Sequence, residues 1–378
     1  MKKELFIFRY KTLLISTPII LAVISLILLL RIKVNSDLNA YFPETLSSKI
    51  NQKKIEAIFG KDEMMMIVLE ADDVLNPETL KRIEAIDDTL EASNSFSDVM
   101  SLFGTKNIRG EEGMMLVDPA IPEIPSNKEE TEALRKSLKE NELAYKLFVS
   151  DDFKYALFII TVKEGIDDKE AVRNAQHAIT INEGPEQAHL FGLPYLRVES
   201  NEKITRDFLI LLPIGLILMI SFLFISFREK RGVWLPMLVV VLSTLVSLAL
   251  LPVMGWDLSL VGIIIPIMMI AIANNYGVHI IARYQEVLAR HPEFTKKEII
   301  LEVYNKLKAP IILTGLTTIV GILGLVAHTM IPASQMGVIS GLGVGFALWM
   351  SLSFIPAILS IMKKGKVHKS FSSEKSIE

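Results

Sequence analysis

Cysteine is absent from this 378-residue chain. That excludes a disulfide framework, thiolate catalysis and a cysteine metal site. Asp, Glu, Lys and Arg are absent from six long stretches, 12–30, 208–227, 233–253, 258–282, 310–329 and 336–362. The one ionisable residue well inside them is His279, while His328 lies near the end of the fifth. No Gly-rich phosphate loop, Ser/His/Asp set or metal-ligand cluster occurs, so the pattern offers neither an enzyme nor a cofactor site. His177 and His189 are 12 apart with no further ligand at metal spacing, and read as structural or surface histidines.

The charges are concentrated elsewhere. Between Lys33 and Arg206 there are 33 acidic and 21 basic residues, a net of −12, and the remainder holds 10 acidic and 19 basic, a net of +9. An acidic soluble domain inserted between apolar spans fits this segregation. Its acidity also argues against a nucleic-acid partner.

Each apolar stretch is long enough to span a hydrocarbon core of ~20 helical residues. The first, 12–30, is longer than a signal-peptide core and is followed by no small-x-small cleavage site, so it reads as a retained helix. Apart from Arg31, every Lys or Arg outside the soluble domain falls on one side of the spans. The positive-inside bias then places both termini in the cytoplasm and residues 32–206 outside a cytoplasmic membrane.

The expected organisation is 1–31, cytoplasmic N-terminus and first span; 32–206, extracytoplasmic domain; 207–362, a five-helix membrane bundle; and 363–378, a basic cytoplasmic tail. The fold class is a polytopic α-helical membrane protein with one α+β domain. Within that domain strands are expected at 64–71, 95–102, 155–163 and 188–191. Helices are expected from Asn76-Pro77 to about 91, from a Ser126-x-x-Glu129 capping box to about 147, and at 168–180. This alternation suggests a ferredoxin-like sandwich. Residues 295–307 read as an amphipathic helix on the membrane surface, ahead of a span beginning at Pro310.

The fourth span carries the polar anomaly. Asn274, Asn275 and Tyr276 stand within it, with His279 one turn on. Asn275 is eight residues before Arg283, roughly 12 Å deep. Amides at that depth act either as interhelical glue or as part of a polar transport site. His279, at i+4, shares the face of Asn275 and lies close enough to Arg283 to be wetted from the cytoplasm. The last two spans are rich in glycine, with Gly315, Gly321 and Gly324 in the fifth and Gly337, Gly341 and Gly345 in the sixth. The sixth-span set, spaced by four, lies on one face suited to close helix packing.

Taken together, Val34-x-x-Asp37-Leu38 with Phe42-Pro43, Gly192-x-Pro194, and Ala273 followed by His279, Arg283, Tyr284 and Glu286 form a recognisable series. Ala309-Pro310, Thr317-Thr318-x-x-Gly321, Gly337, Gly341 and Pro356 continue it. The chain resembles half of a resistance-nodulation-division (RND) exporter, of the MMPL branch that handles hydrophobic lipids and includes sterol-sensing-domain proteins. The resemblance implies a porter-like external domain and a lipid or other hydrophobic substrate taken from the membrane. It also implies a partner, a second copy or a separate second half, since the family usually joins two such halves. The family's proton-coupling Asp-Tyr pair falls on Asn275-Tyr276. An amide keeps the hydrogen-bonding shape but has one charge state, so proton coupling does not carry over. A lipid-binding sensor and an accessory half are the alternative readings.

Overall fold

In a computed structural model, residues 6–35, 37–60, 63–111 and 114–365 are described. The chain divides into two compact units: a helical unit, Met1–Pro43 with Asn201–Glu378, and a sheet-containing unit, Glu44–Ser200.

The sheet unit opens with helix α3 (Ser47–Phe59), ended by Gly60. Strand β1 (Glu63–Glu70) follows, then α4 (Pro77–Glu91), whose N-cap Asn76 accepts from the Glu78 amide. Next come β2 (Phe96–Met100), a hairpin of β3 (Lys106–Glu111) and β4 (Met114–Pro119), and α5 (Lys128–Glu140). The unit closes with β5 (Tyr155–Val162), α6 (Asp168–Ile181) and β6 (Gln187–Gly192). Four strands form a sheet in the order β2-β5-β1-β6, with every neighbouring pair antiparallel.

Alternation in β1 turns Met65, Ile67 and Leu69 inward, where they meet Leu80, Ile83 and Ile86 of α4 and Ala171 and Ala175 of α6 in one core. The cap expected at Ser126 lies one residue later. Asn127 caps α5 by accepting from the Glu130 amide, and the Glu130 carboxylate accepts from Ser126 N and Asn127 Nδ2. The Asn side chain reaches the third helical amide and so sets the start. Gly192 ends β6 with φ of 125°, and a Cβ there would lie 2.6 Å from the Met64 carbonyl, so the first residue of Gly192-x-Pro194 has to be glycine.

One buried acid gives this unit a pH dependence. Asp87 of α4 is buried and one carboxyl oxygen has no hydrogen-bond partner. Burial pushes its carboxyl from 3.8 up to about 6; the Ser101 hydroxyl opposes this, and Glu91, Asp88 and Glu84 add to it. The folded form then binds the proton more tightly than the unfolded one. Stability is therefore greatest below the unfolded value and declines as pH rises through about 6. Asp87→Asn is expected to flatten this slope and to stabilise the unit above pH 7 by up to ~3 kcal/mol, with little change near pH 4. Hydrogen-exchange protection of α4 at the two pH values measures it.

The helical unit begins with α1 (Phe6–Arg9) and α2 (Lys11–Leu29). It continues through α7 (Leu193–Phe227), whose first turns belong to the sheet unit, then α8 (Lys230–Val253), α9 (Ile264–Arg290), α10 (Lys296–Leu323) and α11 (Ile331–Ile361). Among the described residues six helices are long and apolar enough to cross a membrane. Of these, α8 and α11 are the most buried and form the centre of the bundle, while α7 and α10 are the most exposed.

Small residues set the central spacing. A Cβ on Gly277 of α9 would meet Pro236 of α8 at 3.1 Å and Ile355 of α11 at 3.3 Å. Buried Ser247 of α8 donates to the Ile339 carbonyl of α11 at 3.1 Å.

The surface helix expected at 295–307 is instead the first half of α10, which runs unbroken through Pro310. Thr295 and Glu298 form a full capping box at its start, and Ile299, Ile300 and Val303 are buried in the bundle rather than turned outward. A proline removes one helical hydrogen bond but need not end a helix that its neighbours hold.

Candidate functional site

Helix α9 presents two chemically different faces. Inward it buries Met269, Ala273, Tyr276, Ile280 and Tyr284. Outward, at spacings of three and four, it exposes Ile264, Ile267, Ala271, Asn275 and His279. The 100° step between consecutive helical residues therefore separates the Asn275-Tyr276 pair. Tyr276 points into the bundle at 2% exposure, with Thr318 of α10 as the side-chain neighbour of its hydroxyl. Asn275 and His279 stand together on the outer face. Asn274 lies between the two, with a buried Oδ1 that lacks a partner.

The next two turns of α9 enter a network at the basic end of the bundle. Arg283 pairs with Glu286 at 2.5 Å and reaches Glu302 of α10 at 3.4 Å, and Arg290 pairs with Glu286 at 3.0 Å. Gln285 donates to Glu229, which also pairs with Arg231 at 2.6 Å. Lys296 of α10 donates to the carbonyls of Ser360 and Met362, closing the end of α11. Arg283 thus ties α9 to α10 at this end, while Glu286 holds Arg283 and Arg290 along α9 itself.

At the opposite end, the 34–43 segment is stitched to the start of α9. The Leu258 amide donates to the Lys33 carbonyl at 2.7 Å and the Asn35 amide to the Leu258 carbonyl at 2.9 Å. Asp37 caps a short 3-10 turn, Leu38–Tyr41, and the buried Tyr41 hydroxyl accepts from the Leu260 amide at 2.9 Å.

Beside this stitch lies an apolar cavity of about 450 Å³. Leu29 of α2, Leu212 and Leu216 of α7, Leu245 and Leu248 of α8 and Ile270 of α9 line it, with Thr205 and Thr244 as polar exceptions. Toward the basic end α7 instead seats Met219, Leu223 and Phe227 in the core. The volume falls within the ~300–1,000 Å³ range of small-molecule sites, and the lining suits an acyl chain or a fused-ring lipid. No motif marks it, because its walls come from four helices far apart in sequence.

The six glycines separate into groups. A Cβ on Gly315 would meet Leu348 at 2.6 Å, on Gly337 Leu325 at 2.9 Å, and on Gly341 Leu323 at 3.0 Å, so these three hold α10 and the turn after it close to α11. Gly345 has only Ile319 nearby, at 3.8 Å, and nothing lies within 4 Å of such an atom on Gly321 or Gly324. Gly277 and Gly343, which sequence reasoning passed over, are the tight contacts at the bundle centre. Gly343 would meet Ser247 Oγ at 2.5 Å and Met269 at 3.1 Å.

Comparison with known proteins supplies the family. A membrane protein of Methanocaldococcus jannaschii is 20% identical over 299 residues, covering 77% of this chain and 73% of that protein. Membrane protein YdfJ of Bacillus subtilis is 29% identical over 160 residues, 42% of this chain. Membrane protein ActII-3 of Streptomyces coelicolor is 22% identical over 222 residues, 56% of this chain. The matched stretches span only 22% and 31% of the latter two relatives. A model of the MMPL family matches residues 41–376, taking in both compact units, and the chain belongs to the MMPL family of RND-type membrane proteins.

Proposed function

We propose that this protein is a transporter subunit that moves a lipid or another hydrophobic molecule across or out of the cytoplasmic membrane. The observation that carries the reading is the apolar cavity between α2, α7, α8 and α9, large enough for a lipid tail and lined almost wholly by aliphatic side chains. Both termini lie in the cytoplasm, as the basic residues at 228–231, 283–308 and 363–366 favour. Residues 32–206 then lie outside as a porter-like domain. Two β-α-β units and the order β2-β5-β1-β6 support reading its sheet as ferredoxin-like.

The unit works against a second six-helix unit, a further copy of this chain or a separate half, across the outward face of α9. Exposed Asn275 and His279 support this, since amide and imidazole groups facing lipid tails leave hydrogen bonds unmade. Asn275 occupies the position of the coupling carboxylate and takes no part in proton movement.

The test uses the full chain in vesicles with a fluorescent phospholipid whose transfer is followed by quenching. Protein-dependent transfer is expected, and Leu216→Trp, which fills the cavity, is expected to slow it roughly tenfold, the effect of ~1.4 kcal/mol. Photo-crosslinking of an acyl-chain probe to the cavity without any transfer would favour a lipid-binding sensor or accessory half, a reading that the single charge state of Asn275 also supports. The absence of both transfer and labelling would overturn the proposal.

A further inference from the structure

Helix α3 buries none of its residues. Its exposed apolar side chains include Ile50 and Ile55, with Ile58 at 74% and Phe59 at 77% exposure. On a helical projection these four fall within one half of the circumference, which Asn51 and Lys54 share, and Lys49, Gln52, Lys53 and Glu56 fall in the other. The helix carries three lysines and one glutamate within a unit, 44–200, of 31 acidic and 18 basic residues. Its charge is therefore opposite to that of the domain it belongs to. Lys53 pairs with Glu44 at 2.6 Å, but both side chains are more than half exposed, so the pair holds the helix only weakly.

The chain ahead of α3 limits where the helix can go. Tyr41 is fastened to the start of α9 through the Leu260 amide, and Pro43 is the last residue of the helical unit. Four residues then reach Ser47, at most ~14 Å of extended chain. Leu38 and Phe42, in the same connection, are also exposed apolar residues. An amphipathic, basic helix tethered this closely to a membrane-spanning bundle has the composition and placement of an interfacial helix.

We propose that α3 lies on the bilayer surface as a lipid-docked helix, with Ile50, Ile55, Ile58 and Phe59 seated among the acyl chains and its lysines held by anionic headgroups. This holds on whichever side of the membrane residues 44–200 lie, and does not depend on transport.

The native chain has no cysteine, so single spin labels at Gln52→Cys, Ile55→Cys, Ile58→Cys and Phe59→Cys can be read without background in the full protein. The setting is vesicles of mixed zwitterionic and anionic phospholipid. The expected result is an oxygen-to-nickel-chelate accessibility ratio several-fold higher at 55, 58 and 59 than at 52. Lys49→Glu with Lys54→Glu is expected to lower that ratio in anionic vesicles and leave it unchanged in purely zwitterionic ones. Equal nickel accessibility at all four positions would overturn the proposal. So would protection at 58 and 59 that persists in detergent with dipolar broadening between labels, which would mean that a second copy covers the face.

Discussion

Asn275→Asp is expected to give the protein a pH-dependent conformational equilibrium that the native chain lacks. The native residue is an amide, and Asn274 and Tyr276 beside it carry no charge that changes near neutral pH. A carboxylate at 275 has a charged and a neutral form. The charged form in an apolar setting costs ~3 kcal/mol, so the balance between a dry and a wetted arrangement of α9 shifts by roughly 100-fold between the two forms. Spin-label distances across the α9 face, read from pH 5 to 8, should therefore move in Asn275→Asp and stay fixed in the native chain. Lipid transfer by the native protein is expected to continue when a protonophore collapses the gradient. His279 is the one titratable alternative in the span, and it stands on the exposed face of α9 one turn from Arg283. If protonophore abolished native transfer and His279→Ala did the same, protons would pass through His279 and the reading of Asn275 would fail.

How much of this was legible in the sequence differs between elements for physical reasons. The membrane-length helices follow from apolar runs that nothing else explains. In the sheet unit, Asn76-Pro77 marked the start of α4 because cap and N1 preferences are local. Hairpin β3–β4 was not among the expected strands, since its strands carry charged residues and pair only with each other. Helix α3 was not anticipated because it has no neighbour whose pattern would complement its own. The continuity of α10 through Ala309-Pro310 was hidden because proline usually marks a boundary, and only the packing of Ile299, Ile300 and Val303 against the bundle overrides that signal. At the site, the i+4 spacing tied His279 to Asn275. It did not show that this pair faces out while Tyr276 faces in, which depends on where α8 and α11 lie.

The second large effect concerns that outward face. In the bundle, Ile264, Ile267, Ala271, Asn275 and His279 of α9 are exposed, and Gly321 of the neighbouring α10 and Gly324, just past its end, have open space where a side chain would stand. Polar and small residues on one lipid-facing surface are the composition of a helix-helix interface, in which each interhelical hydrogen bond contributes about 0.6 kcal/mol and close backbone approach supplies the rest. With a second copy across a two-fold axis, equivalent positions on the two α9 helices come within reach of each other. The buried positions Met269, Ala273, Tyr276 and Ile280 do not. The direct measurement is disulfide or short bismaleimide cross-linking of single-cysteine variants from 267 to 280 in native membranes, with mass determination of the uncross-linked protein in mild detergent. Cross-linked dimer is expected at 267, 271, 275 and 279 and none at 269, 273, 276 and 280. No cross-link at any exposed position, together with a monomer in detergent, would contradict the paired arrangement on which the proposed transport rests.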